Sequence, residues 1–149
     1  GRDLWSISPK ETVFEALKLM SEKAIGALPV WTRTKELVGI LSERDCARKV
    51  VLAGKTSRET LVEEIMTPAS QMIVVRPETS LEECMIQMTE HHIRHLPVLE
   101  GRRLVGMVSS RDVIQALIKG RARHIDKLHQ ISESVFAQDF DDEIAGGKG

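Results

Sequence analysis

The chain has 149 residues, 42% hydrophobic and 29% charged, which suits one compact domain or two small repeats that share a core. Its formal net charge of −1 gives no overall attraction for nucleic acid or acidic membrane, and an aromatic content of 3% argues against base-stacking surfaces. Two cysteines without a CxxC pattern indicate neither a disulfide framework nor a zinc site, and no apolar run reaches the roughly 18–20 residues of a membrane span.

The first third of the chain alternates strand and helix patterns. Residues 12–15 read as a capping box, and apolar residues follow it at helical spacing. A polar segment between two apolar runs is typical of a hairpin turn. In chain order we predict a strand at 5–8, a helix from 12 that Gly26 ends, strands at 27–31 and 37–41, and a helix from Ser42 to about Gly54.

The same series recurs after a polar linker with one short helical turn. Its elements are a strand at 72–75, a helix behind the capping box at 80–83, strands at 95–99 and 104–108, and a helix from Ser109. Eight residues return unchanged 68 positions later: Pro9, Glu15, Met20, Glu22, Ile25, Leu28, Pro29 and Val30. This is an internal duplication, and each unit reads strand, helix, strand, strand, helix.

The duplication predicts an α/β (α+β) fold of two repeats that pack with pseudo-two-fold symmetry, because half a unit cannot bury its apolar helix faces alone. The Met-rich faces are expected to be core, and Cys84 a small buried hydrophobe; Cys46 has no clear role. The predicted segments are repeat 1 at 3–54, a linker at 55–68, repeat 2 at 69–120, a helical extension at 121–138 and a disordered tail at 139–149.

The strongest repeated motif is a Ser-x-Arg-Asp turn between a strand and a helix, at Ser42–Asp45 and again at Ser109–Asp112. One interpretation is capping, since the serine caps the helix and the acid three residues on bonds back. The other is a ribose phosphate site, in which free N–H groups and an arginine hold phosphate and the acid accepts ribose hydroxyls. Two equivalent copies favour the second, with capping as part of the serines' role.

These motifs, together with the Leu-Pro-Val strands at 28–30 and 96–98 and Ile-Met-Thr at 65–67, resemble tandem CBS domains (cystathionine-β-synthase-type repeats, paired in a Bateman module) over roughly residues 3–120. The resemblance implies a regulatory sensor, not an enzyme. It would bind AMP, ADP, ATP, NAD(H) or S-adenosylmethionine in a cleft between the repeats and modulate a protein partner or its own oligomeric state. The resemblance also implies a homodimer.

Carried over to this sequence, the resemblance assigns each ligand-binding residue a role. Asp45 and Asp112 would bind ribose hydroxyls, Ser42 and Ser109 would face ribose or phosphate, and Arg44 and Arg111 would neutralise phosphate. Adenine would lie against groups near Ile7, Ala27, Leu28 and Pro29 in one site and near Val75, His95, Leu96 and Pro97 in the other. Thr67 would line a site as well, and Arg94 would contact nucleotide.

The two repeats differ in the four residues that follow the aspartate of the Ser-x-Arg-Asp turn. Asp45 is followed by Cys46, Ala47, Arg48 and Lys49, where the second repeat has uncharged residues. Arg48 and Lys49 either extend the first phosphate site, favouring a di- or triphosphate or a dinucleotide, or lie on a solvated helix face; Arg48 is the better ligand candidate.

The cluster His91-His92-Ile93-Arg94-His95 invites a metal interpretation, but the matching residues of the first repeat include no ligand type. We therefore predict no metal site. The sequence contains neither paired carboxylates nor a Walker-type loop, so it does not suggest catalysis. The alternatives to a sensor are a structural dimerisation or interaction module and, less favoured, a nucleic-acid-binding protein using Arg121, Arg123 and Lys127. The expected compartment is reducing, hence the cytoplasm, or an organelle matrix if a targeting segment has been removed.

Overall fold

The computed structural model describes residues 5–120, and these fall into two compact units, Trp5–Met72 and a second that begins at Ile73. The helical extension predicted at 121–138 and the tail at 139–149 lie outside the described residues, as do the three basic residues of the nucleic-acid alternative. Each unit mixes helices with antiparallel strands in the order that the duplication predicts, so the α+β fold class is confirmed.

The first unit contains a three-stranded antiparallel sheet in the order β1-β2-β3. A π-helical turn directly continues α2, with backbone bonds from Leu52 N to Ala47 O at 2.9 Å and from Lys55 N to Val50 O at 2.9 Å. Its elements are α1 (Val13–Lys23), β1 (Ala27–Trp31), β2 (Leu37–Ser42), α2 (Glu43–Cys46), the π-helix Ala47–Val51, α3 (Val62–Ile65), β3 (Thr67–Pro68) and a 3-10 turn at Ala69–Gln71.

The second unit has a two-stranded antiparallel sheet, β4-β5. Its elements are α4 (Leu81–His91), β4 (His95–Glu100), β5 (Arg103–Ser109) and α5 (Ser110–Lys119). Here the last helix is α-helical throughout, so the π-helical turn of the first unit has no counterpart at the equivalent place in the second.

The first strand predicted in each repeat is reduced to one bridging residue. Ile7 pairs in parallel with Val30, and Val75 with Val98. The strands predicted at 5–8 and 72–75 are therefore wrong, because only one residue of each finds a partner. A strand that the sequence did not predict, β3, pairs instead with β2 through Gly39 and Pro68.

Helix α1 starts as predicted and ends earlier than predicted. The Thr12 hydroxyl accepts a hydrogen bond from Glu15 N at 3.2 Å. The helix ends at Ala24, whose φ of 56° is left-handed, and not at Gly26. His92 ends α4 in the same way with φ 54°. A non-glycine residue in this region is strained by roughly 1–2 kcal/mol. In both repeats local backbone bonds close this helix end, from Ile25 N to Met20 O and from Ile93 N to Met88 O, each at 3.0 Å.

The linker closes the N-terminal end of α1. Its carbonyls accept hydrogen bonds from the first helical N–H groups, Val13 N to Thr60 O at 2.8 Å and Phe14 N to Ser57 O at 3.0 Å. The guanidinium of Arg58 lies 3.8 Å from the centre of the Phe14 ring. The unpaired N–H groups of a helix start are thereby satisfied by the chain that follows the repeat.

Each unit has its own buried cluster of aliphatic side chains. The methionines of the helix faces are in these clusters as predicted, with Met20 1% and Met88 3% exposed. Cys84 is fully buried, again as predicted. Cys46, in the cluster of the first unit, is also buried, at 3% exposure. None of the helices between residues 5 and 120 combines the length and the apolar character needed to cross a bilayer.

Candidate functional site

The Ser42–Asp45 turn is a complete capping box. The Ser42 hydroxyl accepts a hydrogen bond from Asp45 N at 3.1 Å, and Asp45 Oδ2 accepts one from Ser42 N at 3.1 Å. The two residues therefore hold each other, and the carboxylate is fixed at the point where β2 ends and α2 begins. Capping, the alternative interpretation of the sequence, is confirmed as part of the role of this turn.

The second turn repeats this geometry at Ser109–Asp112. Asp112 N donates to the Ser109 hydroxyl at 3.2 Å, and Asp112 Oδ2 accepts from Ser109 N at 3.4 Å. The Ser109 hydroxyl also lies 2.8 Å from the same Oδ2 and donates to it. Both bonds from Ser109 go to Oδ2, so the other carboxylate oxygen, Oδ1, lies outside the capping box.

Strand register places the turn beside the start of the preceding strand. Ala27 of β1 lies opposite Ser42, and His95 of β4 lies opposite Ser109. The residue before each strand also contacts the turn, because Gly26 O accepts from Glu43 N at 3.0 Å and Arg94 O from Ser110 N at 2.9 Å.

The expectation of free N–H groups at the helix start is therefore wrong at two of the first three helical positions in each repeat. Glu43 N and Ser110 N are bonded to carbonyls of the preceding segment, and Asp45 N and Asp112 N to the capping serines. Phosphate recognition at these turns would depend on side-chain cations. Arg44 is partly buried and Arg111 is exposed, and each stands one residue before the aspartate.

The residues expected to contact adenine are brought together at the backbone in both repeats. Ile7 N donates to Pro29 O at 3.1 Å, and Val75 N donates to Pro97 O at 3.0 Å. Most of the strand residues are buried in their unit, namely Ala27, Leu28, Pro29, Leu96 and Pro97. Ile7 and His95 are partly exposed, while Arg48 and Arg94 are exposed. The buried members can offer mainly backbone groups to a ligand.

Thr67 is held in the first unit by a close contact with Gly39. Thr67 pairs with Ile40, next to the pairing of Gly39 with Pro68. A Cβ on Gly39 would lie 2.6 Å from the Thr67 carbonyl oxygen and 2.8 Å from the Met66 sulfur. The glycine of the motif is thus needed for the approach of β3, a role that the sequence pattern did not reveal.

Lys49 makes two contacts that the sequence analysis did not predict. Its Nζ lies 3.3 Å from Asp45 Oδ1 and donates a hydrogen bond to Ile65 O at 3.1 Å. The side chain is 47% exposed and that of Asp45 is 18% exposed. Lys49 is therefore exposed, as one of the two interpretations of the sequence has it, and its ammonium group also contacts Asp45 and the linker. The i, i+4 spacing of an acid and a lysine was the signal in the sequence.

The two thiols are poor nucleophiles. Burial, followed by the nearby carboxylates of Asp45 and Glu43, raises the pKa of Cys46 to about 11. Burial, followed by the charge of Glu83, raises the pKa of Cys84 to about 11. Among the residues from 5 to 120 there is also no group of three or more His, Cys, Asp or Glu side chains arranged to hold a metal ion.

Comparison with known proteins gives matches along most of the chain. The family model described as CBS domain matches residues 1–52 and 62–119. The mitochondrial CBS domain-containing protein CBSX3 of Arabidopsis thaliana is 37% identical over 131 residues, which are 87% of this chain and 63% of that protein. The chain thus spans less than two thirds of the length of this relative.

Two solved structures are also similar. A putative signal-transduction protein with CBS domains from Burkholderia ambifaria has a TM-score of 0.74 and 46% identity, over 80% of this chain and 85% of that one. Hypoxic Response Protein I, whose structure has two coordinated zinc ions, has a TM-score of 0.64 and 30% identity, over 77% of this chain and 92% of that one.

Proposed function

Because this chain belongs to the CBS domain family, we propose that it is a regulatory module that binds an adenosine ligand at its two serine–arginine–aspartate turns. The ligands that fit best are AMP, ADP, ATP and NAD(H), with S-adenosylmethionine as a further option. Binding would act on a protein partner or on the module's own oligomeric state. The proposal is for a regulatory protein and not an enzyme.

The observation that carries the proposal is the pair of fixed carboxylates. In both repeats the aspartate is held by its own capping box and keeps one oxygen, Oδ1, outside that box. A carboxylate oxygen of this kind accepts hydrogen bonds from ribose hydroxyls, and charge-assisted bonds are about twice as strong as neutral ones. The arginine before each aspartate supplies positive charge for phosphate in a chain whose net charge is −1.

The surroundings of the turns suit an adenosine body. Each turn adjoins a buried Leu-Pro strand, whose backbone is bonded to Ile7 in one repeat and to Val75 in the other. Apolar walls with a few fixed polar groups are typical of small-molecule sites. We infer that the adenine lies against these strands and that Thr67 contributes to the first site.

The first experiment is a thermal-shift panel on the purified chain with AMP, ADP, ATP, NAD⁺, NADH and S-adenosylmethionine. A ligand that binds the folded state stabilises it by about 2.7 kcal/mol at a hundredfold excess over Kd. We expect a rise in Tm that saturates with at least one of the six compounds. An unchanged Tm with all of them would contradict adenosine binding and leave a structural module.

The ribose role is tested by Asp45→Asn and Asp112→Asn rather than by alanine variants. Asparagine keeps an oxygen that accepts the hydrogen bond from the serine N–H but loses the charge offered to ribose, whereas alanine would also remove this half of the capping box. Ser80→Ala is the matched control, since it deletes the N-cap bond of α4, Glu83 N to the Ser80 hydroxyl at 3.1 Å. We expect ligand affinity to fall in an aspartate variant and not in the control.

A second candidate function, association between copies of the chain, is supported by an apolar stripe on α5. Ile114, Leu117 and Ile118 are 44%, 40% and 79% exposed and lie three and four residues apart on one side of the helix. Light scattering of the wild-type chain and of Ile114→Glu would test it. A dimer that the substitution converts to a monomer is expected, and a wild-type monomer at all concentrations would contradict it.

A further inference from the structure

The two aspartates at the turns differ in what occupies their second oxygen. In the first repeat Lys49 lies at 3.3 Å from Asp45 Oδ1, the oxygen outside the capping box. In the second repeat, within the described residues, Asp112 Oδ1 has no partner. The position equivalent to Lys49 is Ala116, 67 residues later, which is 7% exposed and carries no charge. Among the described residues, an ion pair of this kind with the aspartate is thus present in the first copy alone.

Lys49 also connects the first turn to the linker. The same Nζ donates a hydrogen bond to the Ile65 carbonyl at 3.1 Å. Ile65 is the last residue of α3 and immediately precedes the segment Met66–Thr67, which packs onto Gly39. A single ammonium group therefore joins the carboxylate of the motif to the chain that leads out of the first unit.

A ribose and Lys49 compete for the same oxygen. Two ribose hydroxyls need acceptors, and Asp45 Oδ2 is already bonded to Ser42 N. The hydroxyls of a ligand at Asp45 therefore meet Lys49 at Oδ1, whereas a ligand at Asp112 meets an oxygen with no competitor among residues 5–120. Because the pair is partly exposed, its strength is modest and is lowered by salt.

We propose that Lys49 makes the two turns unequal: Asp112 accepts the ribose of an adenosine ligand directly, and Asp45 does so only after Lys49 has left it, which releases the linker carbonyl of Ile65. This inference rests on the proposed function and adds an order of filling and a mechanical consequence to it. The second turn is the site that fills first. Occupation of the first turn breaks the hydrogen bond between Lys49 and the Ile65 carbonyl of the linker.

The test uses calorimetric titration of the full chain with adenosine, at low ionic strength. Adenosine carries no phosphate, so the titration reports on the ribose and base without the attraction of Lys49 for phosphate. Asp112→Asn should weaken the dominant site at least tenfold, and Asp45→Asn should change it less than twofold. Lys18→Met, on the exposed side of α1, removes one positive charge elsewhere and should leave the titration unchanged.

The lysine itself is tested in the Asp112→Asn background, where only the first turn remains. Adding Lys49→Met keeps most of the side-chain stem and removes the charge. Affinity for adenosine at the first turn should then rise by up to about fivefold, since an exposed ion pair is worth up to about 1 kcal/mol and tenfold corresponds to 1.4 kcal/mol.

Amide hydrogen exchange gives a second readout of the same step. In the Asp112→Asn chain, saturating adenosine should speed exchange at 62–67, and with Lys49→Met added the exchange should already be fast without ligand. Equal sensitivity of the titration to Asp45→Asn and Asp112→Asn, or no gain from Lys49→Met, would overturn the inference while leaving the proposed function standing. Absence of binding by adenosine and by all nucleotides in every variant would refute the proposed function and the inference together.

Discussion

Replacing Gly39 by alanine should destabilise the first unit selectively. The added Cβ would lie 2.6 Å from the Thr67 carbonyl oxygen, where separations under 3.0 Å essentially never occur, so β3 must retreat by at least 0.4 Å, the difference between 3.0 and 2.6. Forced overpacking of this kind costs about 1–3 kcal/mol. The two register pairs between β2 and β3, Gly39 with Pro68 and Ile40 with Thr67, are the bonds at risk.

A cost of about 2 kcal/mol corresponds to a fall in Tm of about 4–8 °C for a chain of this size. Urea unfolding followed by tryptophan fluorescence is the direct assay, because both tryptophans, Trp5 and Trp31, belong to the first unit. Gly101→Ala is the control: its Cβ would meet nothing within 4 Å, but its φ of 67° carries a conformational cost of its own. A Gly39→Ala chain that unfolds at the wild-type urea concentration would refute the close-approach argument.

Two further features give predictions that are independent of ligand. Ala24→Gly should raise the free energy of unfolding by about 1 kcal/mol, because glycine removes the strain of φ 56°. Ala47→Gly, at a position with φ −65°, should lower it by about 0.5–1 kcal/mol. Chemical denaturation measures both changes, and equal effects would contradict the left-handed conformation of Ala24. Cys46 and Cys84 should resist thiol reagents at neutral pH until the chain unfolds, because burial raises both pKa values to about 11; rapid labelling of the folded chain would argue against their burial. Between pH 9.0, the ordinary thiol pKa, and about pH 11, the folded state therefore binds more protons than the unfolded state. The free energy of unfolding should keep its full thiol contribution below pH 9 and fall from there toward pH 11. Urea titrations at a series of pH values measure this fall, and a flat profile would contradict it.

The sequence predicted most of the fold because the duplication constrained each element twice. Strands β1 and β2 and the starts of the helices at Ser42 and Ser109 were correctly placed by alternation, by turn residues and by capping chemistry. These signals are local, and local signals are visible in one sequence. The fold class followed from their order.

The errors in the strands concern interactions between residues distant in the chain, and one further error concerns the end of a helix. The apolar run ending at Val75 looks like a strand, but only its last residue finds a bridging partner, while Thr67 and Pro68 become a strand because Gly39 lets them approach. Gly26 is the better helix terminator by intrinsic preference, yet Ala24 takes the left-handed conformation. The helix end at Ala24 is closed by backbone bonds to Met20 and Ser21, which intrinsic preference alone does not predict.

The candidate site was predictable in its residue types and less so in its partners. Capping and ligand binding looked like rival explanations of the aspartates, and the structure shows the capping bonds directly while leaving Oδ1 outside the box. The contact of Lys49 with the Ile65 carbonyl, 16 residues away, depends on the path of the linker. Neither composition nor spacing determines that path.

The bonds between the linker and α1 bear on how this chain can be divided. The duplicated sequence ends near Gly54, whereas the first unit extends to Met72, because Ser57 and Thr60 supply the acceptors for the start of α1 and β3 completes the sheet. The unit of duplication is thus shorter than the compact unit of the structure. A fragment cut at the end of the repeat would lose a helix cap and an edge strand together, so a first repeat prepared alone needs to carry the chain through Met72.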